Sequence, residues 1–187
     1  IDVVSRRESL IELNDNLGIK AKPFEQYIKI NNNIDTIAKT IRDMLKLTLE
    51  KQMKFKDSNT AFNYYLEMFN NLGILVFQTG KVDRSEMRGL SIYEQVLPVV
   101  VLNRKEEYNA RIFTMFHELV HLLTRTPGIC DNFLIEGQSD FNIEIECNRI
   151  AAEALVPCEF LTKHDSYISL TNYGWDDICI KKISKTF

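Results

Sequence analysis

Apolar residues recur at helical steps in three stretches before residue 73. Residues 3–17 carry Val4, Leu10, Ile11, Leu13 and Leu17 in a pattern that stops at Gly18. From Asn33, a suitable N-cap, Ile34, Ile37, Ala38, Ile41 and Leu45 follow at steps of three and four. From Asp57 or Ser58, Ala61, Phe62, Tyr65, Leu66, Phe69 and Leu72 do the same, and Gly73 supplies the stop. The period then shortens. ILVFQ (74–78), LSIYE (90–94) and PVVVLN (98–103) predict three strands with short connections, read as an antiparallel sheet. Proline at the head of the third strand is best tolerated at an edge.

Helical spacing returns with Ile112, Phe113, Phe116, Leu119, Val120 and Leu123, and Pro127-Gly128 ends it. After a polar loop, a further helix is expected from about Asn142 to Leu155, closed by Pro157. A last amphipathic stretch, WDDICIKKISKTF, ends at Phe187. Helices, then strands, then helices predict an α+β fold rather than a parallel α/β one. We divide the chain into an N-terminal helical segment (1–50) packing on the core, a core (51–165) and a C-terminal helical tail (166–187). The start on Ile1 and the stop at Phe187, in mid-element, are expected of a piece of a longer protein.

Composition narrows the class. At 187 residues and 45% hydrophobic the chain can bury a sizeable core, and 26% charged residues suit a soluble protein. A net charge of −3 argues against direct nucleic-acid binding by this chain. With no signal peptide and no membrane-spanning run in the sequence, a cytoplasmic location is expected. Cys130, Cys147, Cys158 and Cys179 form no Cys-x-x-Cys pair and read as reduced thiols.

Two of the three histidines fall in HELVH, 117–121. Residues at i and i+4 of a helix share a face, so His117 and His121 can reach one zinc ion together. Glu118, one position on, is turned too far to ligate but can reach the attacking water, which makes it the expected general base. A hydrolytic zinc site takes a third protein ligand and leaves one position open. The helix that follows offers Glu144, Glu146 and Glu153. Glu144, Asn148, Ala151 and Leu155 lie on one small, apolar face that can approach a second helix, whereas Glu146, Arg149 and Glu153 form an opposite, solvated one. Glu144 is therefore the expected third ligand. Asn148, one turn beyond, is placed to accept the other ring N–H of His117, or to pack locally.

These residues carry a resemblance. IFTMFHELVHLL, TPGICD and IEIECNRIAAEALVP resemble the ImmA/IrrE family of metallo-endopeptidases, and RGLSIYEQVLPVVVLN and FKDSNTAFNYYLEMFNNLGILVFQTG resemble the segments that precede them in that family. The similarity spans roughly residues 50–160. The E-x-x-C-N-x-x-A-A-x-x-L-x-P run is more specific than HExxH, which many zincins share. Ile150 and Val156 stand where the family usually has Phe and Met, both conservative packing exchanges. The resemblance implies a zincin-like fold with Zn2+ on His117, His121 and Glu144. It also implies a protein substrate, a DNA-binding helix-turn-helix repressor of a phage, mobile-element or stress circuit. Many members carry a helix-turn-helix domain upstream; none is evident in this chain.

Several residues keep two readings. Tyr93, Tyr108, Tyr173 and His164 are by type able to stabilise an oxyanion, yet packing suits the tyrosines and a surface position suits His164. Val99, Val100 and Val101 read first as core and second as a strand beside an extended substrate. The acids Asp131, Glu136, Asp140, Glu144 and Glu146 make either a solvated loop or a surface for a basic substrate. Cys130 is a plain thiol or a redox gate. The chain as a whole reads as a zinc endopeptidase, as a non-cleaving binding or sensor module on the same scaffold, or, last, as a structural zinc site.

Overall fold

The computed structural model describes residues 3–29, 33–126, 128–129, 138–163, 180–181 and 183–184. The helices are α1 (Val3–Asn16), α2 (Ile34–Met44), α3 (Leu49–Gln52) and α4 (Ser58–Asn71), then α5 (Tyr108–Thr124), α6 (Gln138–Leu155) and α7 (Cys158–Leu161). The strands are β1 (Leu75–Thr79), β2 (Gly89–Ile92), β3 (Val99–Asn103) and the two-residue β4 (Gly128–Ile129). The fold is α+β. Short polar side chains start three of the helices: Asn33 accepts from the Asp35 amide at 2.9 Å, Thr48 from the Lys51 amide at 3.2 Å and Asp57 from the Thr60 amide at 2.7 Å.

The sheet departs from the antiparallel expectation. Among the described residues its order is β1-β3-β2-β4, with β1 parallel to β3, and β2 antiparallel to β3 and to β4. Hydrophobic period tells which faces of a strand are buried, not which strand lies beside it. Here the nine-residue link 80–88 carries the chain past the place of β3, and the turn after β2 then brings β3 back between β1 and β2. Asn103, fully buried, pins that link by donating to the carbonyls of Val82 (3.1 Å) and Met87 (2.8 Å).

β3 is buried along its whole length. Val100 and Leu102 join the main core with Phe24, Ile41, Phe69, Phe116 and Leu119, while Val99 and Val101 face a smaller cluster with Val3 and Met87. Val99–Val101 therefore have neighbours on both faces and ladders on both edges, which removes them as a strand beside substrate. The apolar pattern of α1 also reads differently in space: Val3 is buried, whereas Val4 and Leu13, and Leu17 just past the helix, are exposed.

α5 is the central element. It packs on α4, α6, β2 and β3, and α2 also packs along α6. The last carbonyls of α6 are held by side chains of α2 and α3. Buried Arg42 donates to Ala154 O at 2.8 Å and to Gln52 Oε1 at 2.9 Å, and Gln52 Nε2 donates to Leu155 O at 2.7 Å. Satisfying otherwise orphaned helix-end carbonyls with buried donors fixes the axial position of α6, and hence of Glu144 within it.

Candidate metal centre

HELVH lies on the C-terminal half of α5, where His117, Glu118 and His121 are 3%, 0% and 0% exposed. One helical turn sets the two imidazoles in line, with Nε2 atoms 2.9 Å apart. Glu144 reaches across from α6: its Oε2 is 3.2 Å from His117 Nε2 and its Oε1 is 3.2 Å from His121 Nε2. One ligand atom from each residue lies within 4.8 Å of the others, the one such group among the described residues. Tetrahedral bonds of 2.0–2.1 Å give donor–donor separations of about 3.3 Å. The triangle formed by these three side chains is thus the size that one small divalent cation requires.

The electrostatics agree with that fit. Burial pushes the Glu144 carboxyl up, but hydrogen bonds and attraction from the two imidazoles outweigh it and bring the group down to about 2. Glu144 is then a carboxylate, and two ring nitrogens face it across the same point. A divalent ion at that point would satisfy the lone pairs of all three side chains at once.

The outer ring nitrogens have partners too. His117 Nδ1 is 3.0 Å from Asn148 Oδ1, one turn beyond Glu144 on α6. His121 Nδ1 is 3.0 Å from Thr126 Oγ1, with Cys147 Sγ at 3.9 Å. Thr126 was not visible as a site residue in the periodicity, because it lies past the end of α5. Arg125 takes the left-handed region (φ 55°) and turns the chain back, so that the Thr126 amide donates to His121 O at 3.2 Å. Its guanidinium sits 5.1 Å from the ring centres of both Tyr27 and Tyr93, which compensates an unfavourable backbone conformation.

Gly89 was also missed. A Cβ at this position would stand 2.3 Å from Thr114 Cγ2, 3.1 Å from Glu118 Oε1 and 3.2 Å from Val101 O. The bare backbone of β2 is what lets α5 lie so close, with Glu118 in the contact. A glycine opening a strand was the one available signal.

The remaining candidates separate. Tyr108 is at the start of α5, 4.1 Å from the Arg111 guanidinium and 5.6 Å from the Phe62 ring. Nine residues of helix, about 13 Å, part it from His117. Tyr93 follows β2 and stacks on Arg125. Glu146 pairs with Arg149 at 3.8 Å, and Glu153 accepts from the Cys158 amide at 2.8 Å, capping α7. Cys147 is buried and Cys158 exposed, both free thiols. Tyr173, His164, Cys130, Cys179, Asp131, Glu136, the side chain of Asp140 and most of the 166–187 tail lie outside the described residues.

No curated protein matches the chain. A family of peptidases does, over residues 69–169, more than half of the chain, and the match takes in HELVH, Glu144 and Asn148. With that match, the chain belongs to the ImmA/IrrE family of metallopeptidases, through its IrrE N-terminal-like domain.

Proposed function

We propose that this chain is a zinc-dependent endopeptidase on a zincin-like scaffold, hydrolysing a peptide bond in a regulatory protein. The observation that carries the reading is the convergence of His117, His121 and Glu144 at distances that suit a single cation. Zinc held by these three side chains would supply Lewis-acid chemistry for hydrolysis near neutral pH. Glu118 is the residue that accepts a proton from the attacking water and returns it to the leaving amine. Asn148 holds the His117 ring by its outer nitrogen. We divide the labour along the chain at 1–50, 51–165 and 166–187, with the middle part holding the chemistry. No helix among the described residues is long and apolar enough to cross a membrane; a cytoplasmic location and a helix-turn-helix repressor as substrate are part of the same proposal and rest on the family.

One observation favours a second reading. Both imidazoles and Glu118 are almost fully buried, and of the four only Glu144, with its side chain 21% exposed, meets solvent to any extent. A closed site of this kind suits a module that binds a repressor without cutting it. Incubation of the zinc-loaded protein with a candidate helix-turn-helix repressor separates the two. Discrete fragments that disappear with a chelator are expected; a zinc-dependent complex with an intact repressor would instead establish the binding module.

A further inference from the structure

The hydrogen bonds behind His121 form a chain whose protons can be counted. Thr124 Oγ1 is 2.8 Å from Val120 O and 3.3 Å from His121 O, both carbonyls that only accept. The single hydroxyl proton of Thr124 is therefore committed to the backbone of its own helix. Thr126 Oγ1 lies 2.8 Å from Thr124 Oγ1, so the proton in that contact has to come from Thr126. With its proton so used, Thr126 turns a lone pair toward His121 Nδ1, 3.0 Å away. That contact is a hydrogen bond only if the ring nitrogen carries the proton. The three contacts thus take one proton each from Nδ1, Thr126 and Thr124. Without a proton on Nδ1, two protons remain for three contacts, and one pair of lone pairs is left opposed inside the protein.

We propose that Thr126, backed by Thr124, is a positioning residue that fixes the tautomer of His121, leaving the bare Nε2 lone pair aimed at the point where His117 and Glu144 converge. The relay ends on a helix carbonyl, which cannot rotate away, so the setting is rigid. Asn148 does the equivalent for His117 through an amide oxygen in one step; on His121 two hydroxyls do it in two. The inference rests on the metal reading for its purpose, but the tautomer itself is a property of the metal-free chain.

The test has two independent readouts on the full chain. The first is zinc competition against a chromophoric chelator. Thr126→Val, which keeps the shape and removes the oxygen, will weaken zinc binding by about 10–100-fold, the usual range for loss of such an outer partner. Thr126→Ser will restore affinity to within a few-fold of wild type, and Thr124→Val will weaken it less than Thr126→Val. The second is nitrogen-15 imidazole NMR on the metal-free protein. Wild-type His121 will show its proton on Nδ1, and Thr126→Val will populate the other tautomer while His117 stays unchanged. Zinc affinity of Thr126→Val equal to wild type, or a wild-type His121 with no proton on Nδ1, overturns the assignment. If Thr126→Val does not fold, Thr124→Val and the wild-type spectrum still decide. A wild type that binds no zinc yet shows the Nδ1 proton would sink the metal reading and leave the relay standing.

Discussion

Glu118→Gln will keep its zinc and lose about 10²–10⁴-fold in turnover, the range that general acid–base groups contribute. The substitution is close to isosteric, which matters because Glu118 is fully buried and lies against β2 at Gly89. The amide fills the same space without a basic oxygen to take a proton. None of the three side chains that converge on the metal point is touched, so zinc stoichiometry and affinity should be those of wild type. Measuring both on one preparation separates a lost base from a lost metal. Turnover at the wild-type level, against a substrate whose cleavage a chelator stops, would remove Glu118 from the mechanism. Loss of zinc together with activity would show that the carboxylate helps to hold the site.

Gly89→Ala will damage the same residue from the other side. The added methyl would meet Thr114 Cγ2 at 2.3 Å, against the roughly 3.5–4.0 Å at which carbon atoms rest. Relief requires a shift of about 1 Å between β2 and α5, since Thr114 and the next neighbour, Glu118 Oε1 at 3.1 Å, both belong to α5, and Val101 O, at 3.2 Å, belongs to the sheet backbone. Overpacking of this kind costs about 1–3 kcal/mol of stability, and a displacement of about 1 Å at a catalytic group can cost 10²-fold in rate. Urea denaturation and turnover on the same variant check both effects. The double variant Gly89→Ala/Thr114→Ala removes the closest contact and should recover a large part of the stability. Wild-type stability in Gly89→Ala alone would mean that β2 and α5 are not as close as they stand here.

The parts of this architecture that local spacing controls were legible in the chain. Helical period placed His117 and His121 on one face, and the four-residue step from Glu144 to Asn148 marked two residues of α6 that reach those histidines, although the buried side of α6 is made by Cys147, Ile150, Ala151 and Ala154. The caps at Asn33 and Asp57 follow from short polar side chains set before an apolar run. What could not be read depends on contacts between distant residues. Nothing in ILVFQ or PVVVLN says that these runs lie side by side and parallel, because the evidence for it is the path of the link between them. The apolar residues of α1 have helical spacing, but Val3 alone is buried, a reminder that period shows a face and not what covers it. Thr126 and Gly89 act through geometry, a left-handed turn at Arg125 and a close approach at β2, for which sequence offers at most a glycine. HELVH could be read because all its information lies within one helical turn.

Two imidazoles of α5 and one carboxylate of α6 converge as a single candidate cation site. Elemental analysis of the purified chain after zinc loading and exhaustive dialysis tests it most directly, run beside a Glu144→Ala variant that keeps the fold by circular dichroism. About one zinc per chain in wild type, and a large loss in Glu144→Ala, is the predicted result. A folded wild type that retains no stoichiometric divalent metal, or a Glu144→Ala variant that holds it as tightly, would contradict the account.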